Sequence, residues 1–214
     1  MDYQKVAEGA CAKIEEAVAK FAFKGTPVEC RRYGNGHIND TFLLVTKDGE
    51  EEYRYIWQRM NTNVFKDPKG LIQNVSGVTG FLREQIIANG GDPDRETLTL
   101  VKTLDGQDAY EDSIGSWWRM YLFIDDATTY DVVETEAKAF GHFQRLLEKY
   151  PVENLTETIP DFHNTPKRFE TFKKVLEADV CGRAKDVQAE IDFVMAHAAD
   201  MSVVMDKLKS GEMP

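Results

Sequence analysis

The chain has 214 residues, a formal net charge of −11, 42% hydrophobic and 29% charged residues. This balance supports a buried core rather than wholesale disorder, and the acidic excess argues against nucleic acid as a main partner, because phosphate backbones call for clustered Lys and Arg. Cys11, Cys30 and Cys181 are far apart and lack C-x-x-C spacing, which argues against a disulfide framework or a zinc site.

Taken in order, residues 3–22 carry Val6, Ala10, Ile14, Val18 and Phe21 at spacings of three and four, which predicts a helix stopped by Gly25-Thr26-Pro27. Val28–Tyr33 and Thr41–Val45 read as two strands of a hairpin, and Asp48-Gly49 as the next hairpin turn. Tyr53–Met60 is rich in β formers, with apolar residues in both period-2 sets, so a third strand covered on both faces is expected. Residues 61–70 read as a loop. Leu71–Ala88 reads as a helix with Leu71, Val75, Val78, Leu82 and Ile86 on one side, broken by Asn89-Gly90-Gly91-Asp92-Pro93. Leu98–Val101 and Gly115–Ile124 supply two more strands around a turn at Asp105-Gly106, and the second runs into Asp125-Asp126. Beyond it only helices are expected. They are Val132–Tyr150, with Ala139, Phe140, Phe143, Leu146 and Leu147 inward, then Lys167–Leu176 and a long Val187–Lys209. Strands first and helices after is the α+β pattern: a five-stranded antiparallel sheet with helices in residues 1–125, then a helical region over 126–214.

The stretch Tyr33-Gly34-Asn35-Gly36-His37-Ile38-Asn39-Asp40-Thr41 concentrates two glycines and four polar side chains at one hairpin tip. Ordinary turn chemistry explains it. So does a cover over a polar, phosphorylated ligand, because glycine lets the backbone approach closely. His142 and His197 fall within helices and read as structural. His163, on a polar loop before a helix, reads equally as a loop hydrogen bonder or a ligand contact. Asp125 and Asp126 are adjacent, which on a strand points them to opposite faces, so they read as turn residues rather than a catalytic pair. No serine has the G-x-S-x-G setting of a nucleophile elbow.

Five words in order resemble the N-acetylhexosamine 1-kinases of the aminoglycoside-phosphotransferase and choline-kinase-like superfamily. They are Tyr33–Asn39, Gln58-Arg59-Met60-Asn61, Leu155–Ile159, His163-Asn164-Thr165-Pro166-Lys167-Arg168-Phe169 and Gln188–Phe193. The resemblance implies a kinase-like N-lobe followed by the first helices of a C-lobe. It also implies ATP-dependent phosphorylation of N-acetylglucosamine or N-acetylgalactosamine at the anomeric hydroxyl. Gly34, Gly36 and Asn39 would lie near phosphates, His37 and His163 near sugar, and Phe123 to Asp125 would form the adenine hinge. Gln58 or Arg59 stands where such kinases place a phosphate-gripping cation, and Asn74 where an acidic partner is expected.

The His-Asn-Asp catalytic loop and the Asp-rich metal site of that family do not occur between Met1 and Pro214. The chain is therefore expected to be an inactive N-terminal portion, with the ligands for Mg2+ elsewhere and self-association through exposed helical faces. Two alternatives stay open: another acceptor, such as a different sugar or a choline-like alcohol, and a non-catalytic binding module. No run approaches the ~18 apolar residues of a membrane helix, and the N-terminus lacks the apolar core of a signal peptide. A cytoplasmic protein without a membrane partner is the expectation.

Overall fold

A computed structural model describes residues 14–34, 36–127 and 133–213. The chain divides into two compact units, Met1–Thr158 and Ile159–Pro214. The architecture is α+β, with an open six-stranded antiparallel sheet in the first unit.

Helix α1 (Ile14–Val18) leads into the sheet. Strands β1 (Thr26–Arg32), β2 (Asp40–Asp48) and β3 (Glu51–Arg59) form a meander. Helix α2 (Pro68–Ala88) and the short α3 (Pro93–Glu96) follow, then β4 (Leu100–Val101), β5 (Tyr110–Glu111) and β6 (Trp117–Leu122). The strand order is β1-β2-β3-β6-β4, with β5 pairing β6 beyond that path. The expected sheet had five strands; β5 is the addition, and two residues are too few for a period-2 signal.

The expected helix over 3–22 ends at Val18 within the described residues, because Phe21 is drawn into a β-bridge with Thr103. Pro27 is tolerated because β1 is an edge strand, and a bulge follows it between Pro27 and Glu29. Gly25 has φ +76°, and a Cβ there would meet the Lys47 carbonyl at 2.7 Å, so glycine is required on both counts.

All five residues from Phe42 to Thr46 are buried, so both faces of β2 are covered, whereas in β3, expected to be covered on both faces, Tyr55 and Trp57 are buried and Ile56 and Gln58 are half-buried. One face carries Phe42, Leu44, Tyr55, Trp57, Trp118 and Met120, packed with Ala17, Val18 and Phe21. Trp57 and Trp118 stack at 4.4 Å between ring centroids. The opposite face carries Thr41, Leu43, Gln58, Arg119 and Tyr121 in register across β2, β3 and β6.

Helix α2 begins three residues before the expected Leu71. Asp67 caps it by accepting from Gly70 N–H at 2.9 Å, and Pro68 opens its first turn, where the missing N–H costs nothing. Leu82 and Ile86 are buried as expected, joined by Ile72. Asn74 accepts from Thr156 N–H at 2.8 Å and donates to its carbonyl at 2.7 Å, and Tyr150 packs edge-on to Phe81. These contacts tie residues 150–158 to α2, so the first unit extends past the boundary expected at 125.

Helix α4 spans Val133–Leu146. Its expected inward face is not buried: Phe140 is 67% and Phe143 44% exposed, and only Leu146 and Leu147 are half-covered. In the second unit, α5 (Thr165–Ala178) is capped by Asn164, which accepts from Lys167 N–H at 3.2 Å. The single helix expected over 187–209 is broken. Helix α6 (Gln188–Ala196) ends at His197, a 3₁₀ turn covers Ala198–Ser202, and α7 spans Val203–Ser210. His197 Nδ1 lies 2.8 Å from the Phe193 carbonyl, a local bond that accompanies the break. No helix among the described residues is long and apolar enough to cross a membrane.

Candidate functional site

The β1–β2 connection places most of the predicted residues. Tyr33 N–H donates to the Thr41 carbonyl at 3.0 Å, closing the loop over residues 34–40. Gly34 has φ +76°, and a Cβ on it would meet nothing within 4 Å. Its glycine is needed for backbone conformation, and the tip is open on that side. Asn39 is not free: its Oδ1 accepts from Asn61 N–H at 3.0 Å, which pins the loop to the segment after β3.

Arg59 lies on the Trp57 face, opposite Asp40. Its Nε donates to Asp40 Oδ2 at 2.8 Å and its Nη2 reaches the same oxygen, while Arg32 Nη2 donates to Asp40 Oδ1 at 3.1 Å. One carboxylate thus serves two guanidiniums. His37, Asp40, Arg59, Asn61, Asn63 and Ser116 line a polar pocket of about 410 Å³. The structure therefore brings His37 and Arg59 together, with Asn39 positioning the wall.

The predicted hinge is held by Arg54. Its carbonyl accepts from Phe123 N–H at 3.0 Å, its guanidinium lies over the Phe123 ring at 5.4 Å, and its Nη2 pairs with Asp125 Oδ1 at 2.8 Å. Arg95 Nη2 donates to the Asp125 carbonyl at 3.0 Å. Asp126 takes φ 54°, the left-handed conformation of a turn residue, as expected. Tyr33 meets the Phe123 ring edge-on at 5.5 Å, so the loop and the 123–125 segment touch. His163 belongs to the second unit. It is exposed and stacks edge-on against Phe162 at 4.8 Å, in the turn before α5. His142 is exposed on α4 with Arg145 Nη2 3.3 Å from its Nδ1.

Sequence reading missed one charged residue. Arg119 is the lone charge in the β6 run Trp117-Trp118-Arg119-Met120-Tyr121-Leu122, a central strand. That isolation was its signal, because a charge inside an apolar central strand has to be compensated. Its Nε and Nη2 donate to Gln58 Oε1 at 3.1 and 3.0 Å, and Gln58 Nε2 donates to Thr41 Oγ1 at 2.9 Å. Burial lowers the guanidinium's pKa from its ordinary value, partly offset by Tyr121. Asn74, which stands where the resemblance calls for an acidic partner, bonds the Thr156 backbone.

No protein-family model matches this chain. Among the described residues, no group of three His, Cys, Asp or Glu side chains is placed to hold a metal ion.

Proposed function

We propose that this chain carries the nucleotide-holding lobe of an ATP-dependent sugar 1-kinase acting on N-acetylhexosamines. The observation that supports this most is the order β1-β2-β3-β6-β4, with a long helix inserted between β3 and β4 and a glycine-bearing loop joining β1 to β2. A loop of that kind covers phosphates with backbone N–H groups, and phosphoryl transfer relies mainly on positioning and charge neutralisation. The contact of Tyr33 with Phe123 adds support, since loop and hinge flank one ligand in this reading.

The fit to the ligands is uneven. The open tip at Gly34 suits phosphate oxygens. The Phe123 amide does not suit the adenine edge, because the Arg54 carbonyl already takes it. No described carboxylate cluster suits Mg2+, so no step is assigned to that ion. The catalytic base implied by the resemblance is not among these residues either. In this reading the chain's own work is to hold nucleotide and, through His37, sugar.

Calorimetry on the 214-residue chain with ATP and with each N-acetylhexosamine tests the proposal. ATP is expected to bind, and Gly34→Val to weaken it by roughly tenfold, because a β-branched residue resists φ +76°. Full retention of ATP affinity in that variant removes the loop from the site. Absence of ATP binding in the unaltered chain removes the kinase reading, and absence of sugar binding removes the acceptor.

Self-association belongs to the same proposal. Phe140, Phe143, Phe193, Val203, Val204 and Leu208 are all more than 40% exposed. The first two lie in the first unit and the other four in the second, and large apolar side chains left exposed in each unit favour association. Light scattering is expected to give a mass above one chain at tens of micromolar; a monomer at every concentration contradicts it.

A further inference from the structure

Thr41, Gln58 and Arg119 form one polar row across three adjacent strands, each directly opposite the next. The bonds all run one way: Arg119 donates to Gln58, and Gln58 donates to Thr41. A guanidinium offers five N–H groups, and a single amide oxygen engages only part of that set. Arg119 Nη1 is turned away from solvent and has no acceptor among the described residues. No carboxylate pairs with Arg119 among the described residues either. The charge is instead packed over the Tyr121 ring at 5.2 Å.

The contrast with the other arginines of the sheet is sharp. Arg59 and Arg32 share Asp40, Arg54 has Asp125, and Arg31 has Glu29. Those four are neutralised locally. Arg119, half-buried like Arg59, has no anion among the described residues. A half-buried cation without a counter-charge is costly unless something else supplies the charge, and the planar fork of arginine suits the paired oxygens of phosphate or carboxylate. All three side chains of the row are half-buried rather than sealed.

We infer that Arg119, oriented by Gln58, holds a phosphate group on this face of the sheet. Arg119, and not Arg59, is then the phosphate-gripping cation of the lobe. It reaches from β6 to the face that Gln58 occupies on β3, while Arg59 lies on the opposite face, engaged by Asp40. The role rests on the nucleotide reading for the ligand's identity, but the anion site does not.

Calorimetric titration with ATP and with inorganic tripolyphosphate separates the two. In Arg119→Met both affinities are expected to fall by roughly tenfold or more, the range for a charge-assisted pair. In Arg119→Lys, which keeps the charge and loses the fork, the loss is smaller. The melting temperature without ligand is expected to stay level or rise in Arg119→Met, because an unneutralised charge has been removed. A structural role would lower it. Should Arg119→Met not fold, a loss of several-fold in Arg119→Lys decides in favour and an unchanged affinity decides against. If ATP binds equally to the unaltered chain and to Arg119→Met, the inference falls and the nucleotide reading stands. If tripolyphosphate binds through Arg119 and ATP binds no better than tripolyphosphate, the anion site stands and the nucleotide reading falls. Binding of neither ligand overturns both.

Discussion

Trp118→Ala is expected to destabilise the first unit by about 3–5 kcal/mol, the range for deleting a large aromatic from a packed core. That is a large share of the roughly 5–15 kcal/mol that holds a domain folded. Trp118 is fully buried, stacked on Trp57, and its Nε1 donates to Asp112 Oδ2 at 2.9 Å. Asp112 is itself buried, and its Oδ1 accepts from the Ile114 and Ser116 amides. Trp57 is equally buried, but its Nε1 has no acceptor among the described residues. The two indoles therefore separate packing from hydrogen bonding. Trp118→Phe keeps most of the ring and strands a buried carboxylate oxygen, costing about 1–3 kcal/mol more than packing alone. Trp57→Phe removes a donor that bonds to nothing and is expected to cost distinctly less. Urea titrations followed by circular dichroism give the ranking Trp118→Ala, then Trp118→Phe, then Trp57→Phe. A Trp57→Phe cost equal to that of Trp118→Phe would show that the Asp112 bond contributes nothing.

The sheet was legible in the sequence because its strands are long and its turns use strong signals. Asp48-Gly49 and Asp105-Gly106 sit where they were expected, with both glycines at positive φ. The α-helical half was less legible. Phe140 and Phe143 have helical spacing, which periodicity assigns to a core, yet the structure leaves both exposed. Spacing reports a stripe and says nothing of what covers it. The break at His197 lacks Gly or Pro, so no local signal marked it. The end of the strands at Asp125 suggests a domain limit, whereas the contacts that join residues 150–158 to the first unit, Asn74 with Thr156 and Phe81 with Tyr150, link residues more than sixty apart and leave no local signal. At the candidate site, the hairpin residues were found from composition. The family pattern points to β3 for a cation, whereas Arg119 stands on β6 and only pairing across the sheet brings it opposite Gln58.

Raising the pH above about 9 is expected to remove stability from the first unit in two overlapping steps. Cys30 is 4% exposed, and burial, with a smaller effect of Glu29, pushes its thiol from 9.0 up to about 11. Burial likewise pushes the Tyr121 hydroxyl from 10.0 up to about 12, against the opposing pull of Arg119. A raised acid pKa means that the folded state keeps a proton that the unfolded chain releases. The stability tied to each group is complete below its unfolded pKa and is lost as pH climbs through the folded one. The windows are therefore pH 9 to 11 for Cys30 and pH 10 to 12 for Tyr121. Two pH units correspond to about 3 kcal/mol for each group. Cys30→Val removes the first window and keeps a buried apolar side chain, so its urea midpoint is expected to hold between pH 9 and 10, below the start of the Tyr121 window, while the unaltered protein's falls. Thiol labelling gives an independent check. Exposed Cys181 reacts with a disulfide reagent at pH 8, and buried Cys30 stays protected until the sheet opens. Parallel decline of the two proteins, or labelling of Cys30 at the rate of Cys181, would mean that the thiol is not held in the core.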